Sequence, residues 1–430
     1  MNTNKKKIAV AVTHRTPYGR LRPIMKAIQE NPNLELQVMV GSSVFRHHLF
    51  FALRNSDIRS IIRLLPFYFR SKILSFFFGK SFLDKDELLA KMIIQDGFSI
   101  NERIPIFLEG GNLTTMTKSV GAGIFNLPKI LETLKPDIVL VHADRFEMLS
   151  IAIASSLMNI PIAHTQGGDV SGTIDETVRH AITKLAHIHF PTTNKSKERL
   201  IRMGENPNSI FMVGCPTIDV LKKIDLNIDE NIYIRNGVGY GKEIDLTKPF
   251  LLMLHHPVTT EYALTKTDMQ EVLESVRTIN MPILLFWSNI DAGSDGASEA
   301  IREFIKNPYP AGLTLYKSFN SEDFYRALNA SAVAVGNSSS FIREGSYLGT
   351  PSVVVGSRQN GREYSKNIIE VECKREKIIP AIKIQLSHGK YKQSNIYGDG
   401  NASEKIANIL ATVNPSAQKK FYEEYLPISI

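Results

Sequence analysis

Short apolar runs, many of them β-branched, alternate along the chain with longer stretches of amphipathic, helix-period character. The apolar runs predict strands over 7–13, 36–41, 137–141, 161–165, 188–191, 210–213, 250–255, 283–287, 313–316, 332–335 and 352–355. Several are continuously apolar, Ile8-Ala9-Val10-Ala11-Val12 for example, as strands covered on both faces must be. Helical periodicity falls between them, over 21–30, 119–134, 146–158, 177–185 and 321–328. Strand, helix and strand in regular succession predict a doubly wound α/β protein. The succession comes in two sets. The first ends near 191–202 and the second begins near Val213-Gly214-Cys215-Pro216, with a polar, Gly- and Asn-containing stretch at 222–248 that reads as a loop. Two such halves facing each other make a cleft, and open α/β sheets bind ligands outside the carboxyl ends of their strands.

Length supports the division: 430 residues exceed what one hydrophobic core organises. An apolar fraction of 43% and a charged fraction of 22% exclude a disordered or low-complexity chain. The two cysteines, Cys215 and Cys373, make no disulfide framework, and no Cys/His cluster has zinc spacing, so no metal site is expected. The net charge of +8 favours an anionic ligand. No basic docking element accompanies it, so no nucleic-acid partner is expected. The apolar run after Lys5-Lys6-Lys7 is too short for a secretory segment and no run of about 18 apolar residues occurs, which points to a cytoplasmic protein. One segment stands apart. Residues 45–82 hold nine of the 22 Phe residues and seven Lys or Arg against the single Asp57. It reads as a helical insertion packed on the domain or on a second subunit; the alternative is a peripheral membrane contact, since basic aromatic stretches suit headgroup layers.

The candidate chemistry sits at strand ends. Thr13-His14-Arg15-Thr16-Pro17-Tyr18-Gly19-Arg20 places a glycine and basic residues between a first strand and a first helix, where phosphate binds well. It lacks the dinucleotide glycine pattern, so no nicotinamide cofactor is expected. Val141-His142-Ala143-Asp144-Arg145-Phe146-Glu147 puts Asp144 at the end of a buried strand, either as a functional acid or as the cap of the next helix. The stretch from His164 to Lys184 contains Gln166-Gly167-Gly168-Asp169, then Asp175, Arg179 and His180; Asp175 is again an acid or a cap. In the second half, His255-His256-Pro257 ends a strand. Gly336-Asn337-Ser338-Ser339-Ser340 opens a helix whose amides suit a diphosphate, with Glu344 one turn on for ribose hydroxyls. Gly356-Ser357-Arg358-Gln359-Asn360-Gly361-Arg362-Glu363 adds two guanidinium groups. Together these describe a nucleoside-diphosphate site in the C-terminal half.

These strings resemble the hydrolysing UDP-N-acetylglucosamine 2-epimerases of sialic- and nonulosonic-acid pathways. The resemblance is carried by Ala143-Asp144-Arg145-Phe146, by Gly167 to Asp175, by Arg179-His180-Ala181-Ile182-Thr183-Lys184-Leu185-Ala186-His187, by His256-Pro257-Val258-Thr259-Thr260, by Asn289-Ile290-Asp291-Ala292-Gly293, by Gly336-Asn337-Ser338-Ser339, by Arg358-Gln359 and Gly361-Arg362-Glu363, and by Ile396-Tyr397-Gly398-Asp399-Gly400-Asn401-Ala402. It implies a GT-B architecture, two Rossmann-like domains with the active site between them. The expected domains are 1–213, with an insertion at about 45–92, then 214–405, and a C-terminal helical segment 406–430 returning to the first domain. It further implies catalysis by Asp144, Asp175 and His256, and uridine-diphosphate contacts at Arg15, Arg145, Asn289, Ser338, Ser339, Glu344 and Arg358, to which Gly19, Ser318 and Gly336 are added. Homodimers or homotetramers are implied, as is the absence of a cofactor. Two positions depart from the family pattern. Gln166 stands where many members carry a catalytic Glu, so one acid/base role must move or the substrate must differ; Gly19 stands where some carry Ser.

The implied reaction eliminates UDP from C1 with loss of the C2 proton, giving a 2-acetamidoglycal. Water then adds, and C2 is protonated on the opposite face. UDP-N-acetylglucosamine is the leading substrate, releasing N-acetylmannosamine, and a UDP-2,4-diacetamido-trideoxy sugar is the alternative that Gln166 raises. A glycosyltransferase, a nonhydrolysing epimerase and a catalytically silent sugar-nucleotide sensor are competing readings of the same cleft.

Overall fold

The computed structural model describes residues 5–44, 85–108, 113–288, 294–306 and 312–423. Two six-stranded sheets organise them. The first contains β1 (Lys6–Val12), β2 (Leu34–Ser43), β3 (Glu102–Phe107), β4 (Ile138–His142), β5 (Ile162–Thr165) and β6 (Ile188–Phe190), in the order β3-β2-β1-β4-β5-β6. The second contains β7 (Leu251–Leu254), β8 (Ile283–Phe286), β9 (Leu313–Tyr316), β10 (Val333–Gly336), β11 (Ser352–Val355) and β12 (Ile368–Val371), in the order β12-β11-β10-β7-β8-β9. Every pairing is parallel. Both sheets therefore have the same doubly wound order, with switch points between β1 and β4 and between β7 and β10. This is the GT-B arrangement of two Rossmann-like halves.

Burial follows the apolar runs. The strands next to each switch point are buried along almost their whole length, and a hydrophobic cluster covers each face of each sheet. The two strands that the apolar pattern misses are both edges. β3 carries Glu102, Arg103 and Pro105 and pairs only with β2; β12 is half-buried except at Glu370, which is exposed. Edge strands need less apolar sequence and tolerate proline, so their pattern is weaker. Two further expectations are corrected. Residues 210–213 make only an isolated bridge, His189 to Ile210: the Phe211 and Val213 amides donate to the His189 and Pro191 carbonyls, but Pro191 has no N–H to donate back. The stretch 222–248 is not purely a loop. It contains the helix Ile232–Asn236, and Tyr240 bridges Leu315. The fully buried Asp323 holds it down, accepting hydrogen bonds from Arg235 and Asn236. Of the aromatic, basic insertion, residues 45–84 lie outside the described residues; the helix Lys85–Gln95 follows.

The last described helix packs against the first sheet. Ile406, Ala407 and Leu410 of the helix Ala402–Thr412 share a core with β1, β2 and the helix Arg15–Glu30. Beyond it, Lys419 pairs with the buried Glu205, which also accepts from Lys184 and His189. Burial alone would raise the Glu205 pKa, but His189, Lys184 and Lys419 outweigh it and hold it down at about 2, against an ordinary 4.5. A carboxylate depressed in the folded state contributes stability above its unfolded pKa and loses it as pH falls through the folded one. The clamp is therefore expected to loosen between about pH 4.5 and pH 2. Limited proteolysis across that range should show cleavage in 414–423 rising on acidification. Glu205→Gln should show the rise already at neutral pH, and acid-independent cleavage in both proteins would contradict the clamp.

Candidate active site

The switch point of the first sheet is crowded with charge. β4 ends at His142, and Ala143 follows with φ of 62°. A left-handed alanine is strained by about 1–3 kcal/mol, and such strain gathers at functional sites. Its effect is to turn the chain so that Asp144 faces the opening. Gln166, after β5, repeats the device with φ of 63°. The next helix begins at Phe146 with Arg145 at its N-cap position, so Asp144 is not the cap. Its carboxylate pairs instead with Arg179. Arg179 lies on the second turn of the helix Ile174–Leu185 and is 1% exposed. It also donates to the Asp169 carbonyl at 2.8 Å and to Ser171 Oγ at 3.3 Å. Burial, with Arg362, Arg343 and Arg199 nearby, pushes its pKa down.

Asp175 is not a cap either. Thr173 holds that position, its hydroxyl accepting from the Asp175 amide at 3.4 Å. Asp175 sits in the first turn, half-buried, four residues before Arg179 and so on the same face. Both acids open onto one cleft.

Beside them lies a group that the sequence pattern does not single out. Glu147 is fully buried and accepts from Arg145 Nε at 2.7 Å and Thr13 Oγ1 at 3.1 Å, with His14 Nε2 at 3.2 Å. Burial would raise its pKa, but Arg145 and His14 more than offset this and hold the carboxylate below its usual range. Glu147 thus fixes Arg145 and His14 at the rim.

The second switch point faces the first. Asn337, after β10, accepts from the His256 amide at 2.7 Å and donates to the His256 carbonyl at 2.8 Å, so the two loops of the switch are locked together. Gly336 allows this approach, since a Cβ there would lie 2.1 Å from the Leu254 carbonyl oxygen. Arg358 and Gln359 both donate to the Asn337 carbonyl. Ser338 caps the helix Ser339–Leu348, whose N-terminus points into the cleft. Burial and the Arg358 guanidinium push His256 well below its ordinary pKa. A neutral His256 offers a hydrogen bond, which leaves the arginines to supply charge.

The halves meet across this cleft. Arg20, on the helix Arg15–Glu30, donates to Ser339 Oγ at 3.3 Å. The Gly172 amide donates to the Arg358 carbonyl at 3.2 Å, and a side chain at 172 would strike the Ser357 carbonyl. Asp169 lies 4.0 Å from Arg343 and 3.9 Å from Arg362, both buried. The cleft has a volume of about 2300 Å³. Its walls combine carboxylates from the first half with guanidinium groups from both halves and a helix N-terminus, which is what an anionic substrate that undergoes proton transfer requires.

Of the residues named from sequence, Asp144, Asp175, His256, Gln166, Gly19, Arg145, Ser318, Ser338, Ser339, Glu344 and Arg358 all line this cleft. Gly336 lies beneath it as backbone packing rather than in its wall. Arg15 opens its helix, but its side chain is outside the described set, and Asn289 lies outside the described residues. Arg362, the second guanidinium group of the 356–363 string, lines it too. Arg20, His142, Glu147 and Arg343 are not in that sequence-derived set. The available signal was adjacency: Arg20 follows Gly19, Glu147 closes the Asp144 string, and Arg343 precedes Glu344.

Comparison with known proteins places these observations. A family model described as UDP-N-acetylglucosamine 2-epimerase matches residues 85–411. The UDP-N,N'-diacetylbacillosamine 2-epimerase (hydrolyzing) of Legionella pneumophila is 38% identical over 318 residues, covering 74% of this chain and 82% of that protein. The UDP-N-acetylglucosamine 2-epimerase of Neisseria meningitidis is 26% identical over 424 residues, covering 97% and 99%. A crystal structure of UDP-GlcNAc 2-epimerase from Neisseria meningitidis bound to UDP-GlcNAc superposes with a TM-score of 0.69 at 16% identity, over 94% of this chain and 99% of that one.

Proposed function

The chain belongs to the UDP-N-acetylglucosamine 2-epimerase family, and from that premise we propose that it is a hydrolysing 2-epimerase that converts a UDP-2,4-diacetamido-trideoxy sugar of the N,N'-diacetylbacillosamine type, with water, to UDP and the free 2-epimeric sugar. One observation carries the reading: the two carboxylates of the first half, Asp144 and Asp175, open onto the same cleft as the Ser338–Ser339 helix start of the second. In this account the diphosphate sits on that helix N-terminus, near Ser338 and Ser339, with Arg358 and Arg20 neutralising it and His256 donating a hydrogen bond. Glu344 accepts from the ribose hydroxyls. Asp144 and Asp175 carry protons to and from C2. Arg145, held by Glu147, lies on the sugar side.

The choice of sugar follows from the Legionella relative at 38% identity and from Gln166, whose buried amide cannot serve as an acid or a base. UDP-N-acetylglucosamine is the second reading, favoured by the Neisseria relative that matches nearly the whole chain. Side-by-side turnover of the two sugar nucleotides, followed as UDP release and product stereochemistry, separates them. The expected result is stoichiometric UDP and faster turnover of the diacetamido substrate. Faster turnover of UDP-N-acetylglucosamine would reverse the choice, and an epimer still linked to UDP would overturn the hydrolytic reading.

A further inference from the structure

The helix Ser339–Leu348 turns one face to the cleft. Ser339, Ser340, Arg343 and Glu344 recur at helical spacing and line it, while Phe341 and Ile342 point into the core of the second half. Ser339 meets the diphosphate and Glu344 the ribose in the reading above, and Arg343 lies between them on the same face. It follows Ser339 by four residues, and a helical side chain leans back toward the N-terminus of its helix. The Arg343 guanidinium is thereby carried toward the helix start, where Arg20 donates to Ser339 Oγ.

That guanidinium is 2% exposed and cannot shed its charge. Its Nε and Nη1 have no hydrogen-bond partner among the described residues, and its Nη2 lies 4.0 Å from Asp169 Oδ2, beyond hydrogen-bond range. Arg362 repeats the pattern: its Nε has no partner among them, and its Nη1 lies 3.9 Å from the same oxygen. Asp169 is tied elsewhere, its Oδ1 accepting from Thr192 and Ser196. Arg20 crowds in from the first half. Burial, then Arg343, push the Arg20 pKa down, and the same two causes bring that of Arg362 to about 10. Three guanidinium groups therefore face Asp169 and Glu344 at a helix N-terminus, and the sum is positive. Buried donors left unmade and buried charge left unbalanced are both costly, and an anion in the cleft relieves both.

We propose that Arg343 binds the terminal phosphate of UDP, the one that departs from C1. As the C1–O bond breaks, its electron pair stays on that phosphate, and a fixed donor beside the growing charge lowers the barrier. Arg343 then has two effects: it makes the site prefer a nucleoside diphosphate to a monophosphate, and it favours departure. Its planar fork suits phosphate oxygens, and Asp169, which makes no hydrogen bond to it, leaves that fork available. The inference rests on the UDP-sugar reading above.

UDP and UMP separate this role from a structural one, because they differ only in the terminal phosphate. Calorimetric titration of both is carried out on the wild type, Arg343→Met, Arg343→Lys and Asp169→Asn, with turnover of whichever UDP-sugar the wild type accepts. In Arg343→Met the affinity for UDP is expected to fall by ~10–100-fold, while that for UMP stays within a few-fold of wild type, and kcat is expected to fall by ~100-fold. Arg343→Lys keeps the charge without the fork and should lie between. Asp169→Asn should keep the wild-type preference for UDP over UMP. The ratio of the two affinities is read within one protein, so a loss of stability does not imitate the effect. An unchanged ratio in Arg343→Met would overturn the assignment. So would a fall in Asp169→Asn as large as in Arg343→Met, which would make Arg343 only the partner of Asp169 between the halves. A wild type that binds UDP and UMP equally well would overturn this inference alone, and one that binds neither would overturn the UDP-sugar reading itself.

Discussion

Asp175→Asn is expected to lower turnover of the sugar nucleotide by ~10²–10⁴-fold, the usual worth of a positioned acid or base, while leaving UDP affinity within a few-fold of wild type. Asn has the shape of Asp and cannot exchange a proton at C2. The groups assigned to UDP belong mostly to the other half: the Ser338–Ser339 helix start, Glu344 and Arg358. Chemistry and nucleotide binding are thus separated in space, and a substitution on one wall should leave the other intact. Asp144→Asn is expected to act in the same direction for two reasons, since its carboxylate both faces the cleft and pairs with Arg179. Steady-state kinetics together with calorimetric titration of UDP checks both. Asp175→Asn turning over within tenfold of wild type would remove Asp175 from the chemistry, and a parallel loss of UDP affinity would mean that the two walls are not independent.

Arg179→Met is expected to destabilise the first half by about 3–5 kcal/mol, the range for breaking a buried ion pair by removing one partner. The loss falls on several groups together: the Asp144 carboxylate, the Asp169 carbonyl and Ser171 Oγ all lose their donor. Asp144→Asn should cost less, because its side-chain oxygen still accepts from Arg179. The double variant should then fall short of the sum of the two singles, since both remove the same contact. Urea unfolding followed by circular dichroism measures this. A shift below about 1 kcal/mol for Arg179→Met would show that the Arg179 network is not a structural anchor of the rim.

The fold was legible where burial leaves no choice. Strands at the centre of each sheet are enclosed on both faces and read as unbroken apolar runs, as in Val10 of β1 or Val335 of β10. β3 and β12 escaped because an edge needs neither continuous apolarity nor a full set of donors. The candidate site was legible as strings at strand ends, because doubly wound topology sends every such end to the same side. What those strings withheld was pairing. Asp144 and Asp175 both occupy positions where a helix cap is the ordinary reading, and only backbone geometry gives the second cap to Thr173 and turns Asp144 to Arg179. The meeting of Asp169 with Arg343 and Arg362 joins the two halves, and no local periodicity reports a contact of that span.

The most direct test of convergent action by the two walls is turnover in deuterated water, with the released sugar analysed at C2. Acids from the first half and a diphosphate grip from the second, working on one substrate through a glycal, predict a single solvent deuterium at C2 of a free, inverted sugar, with one UDP formed for each. A free sugar that retains its original C2 hydrogen would contradict the account, because UDP would then have left without any proton transfer at the neighbouring carbon.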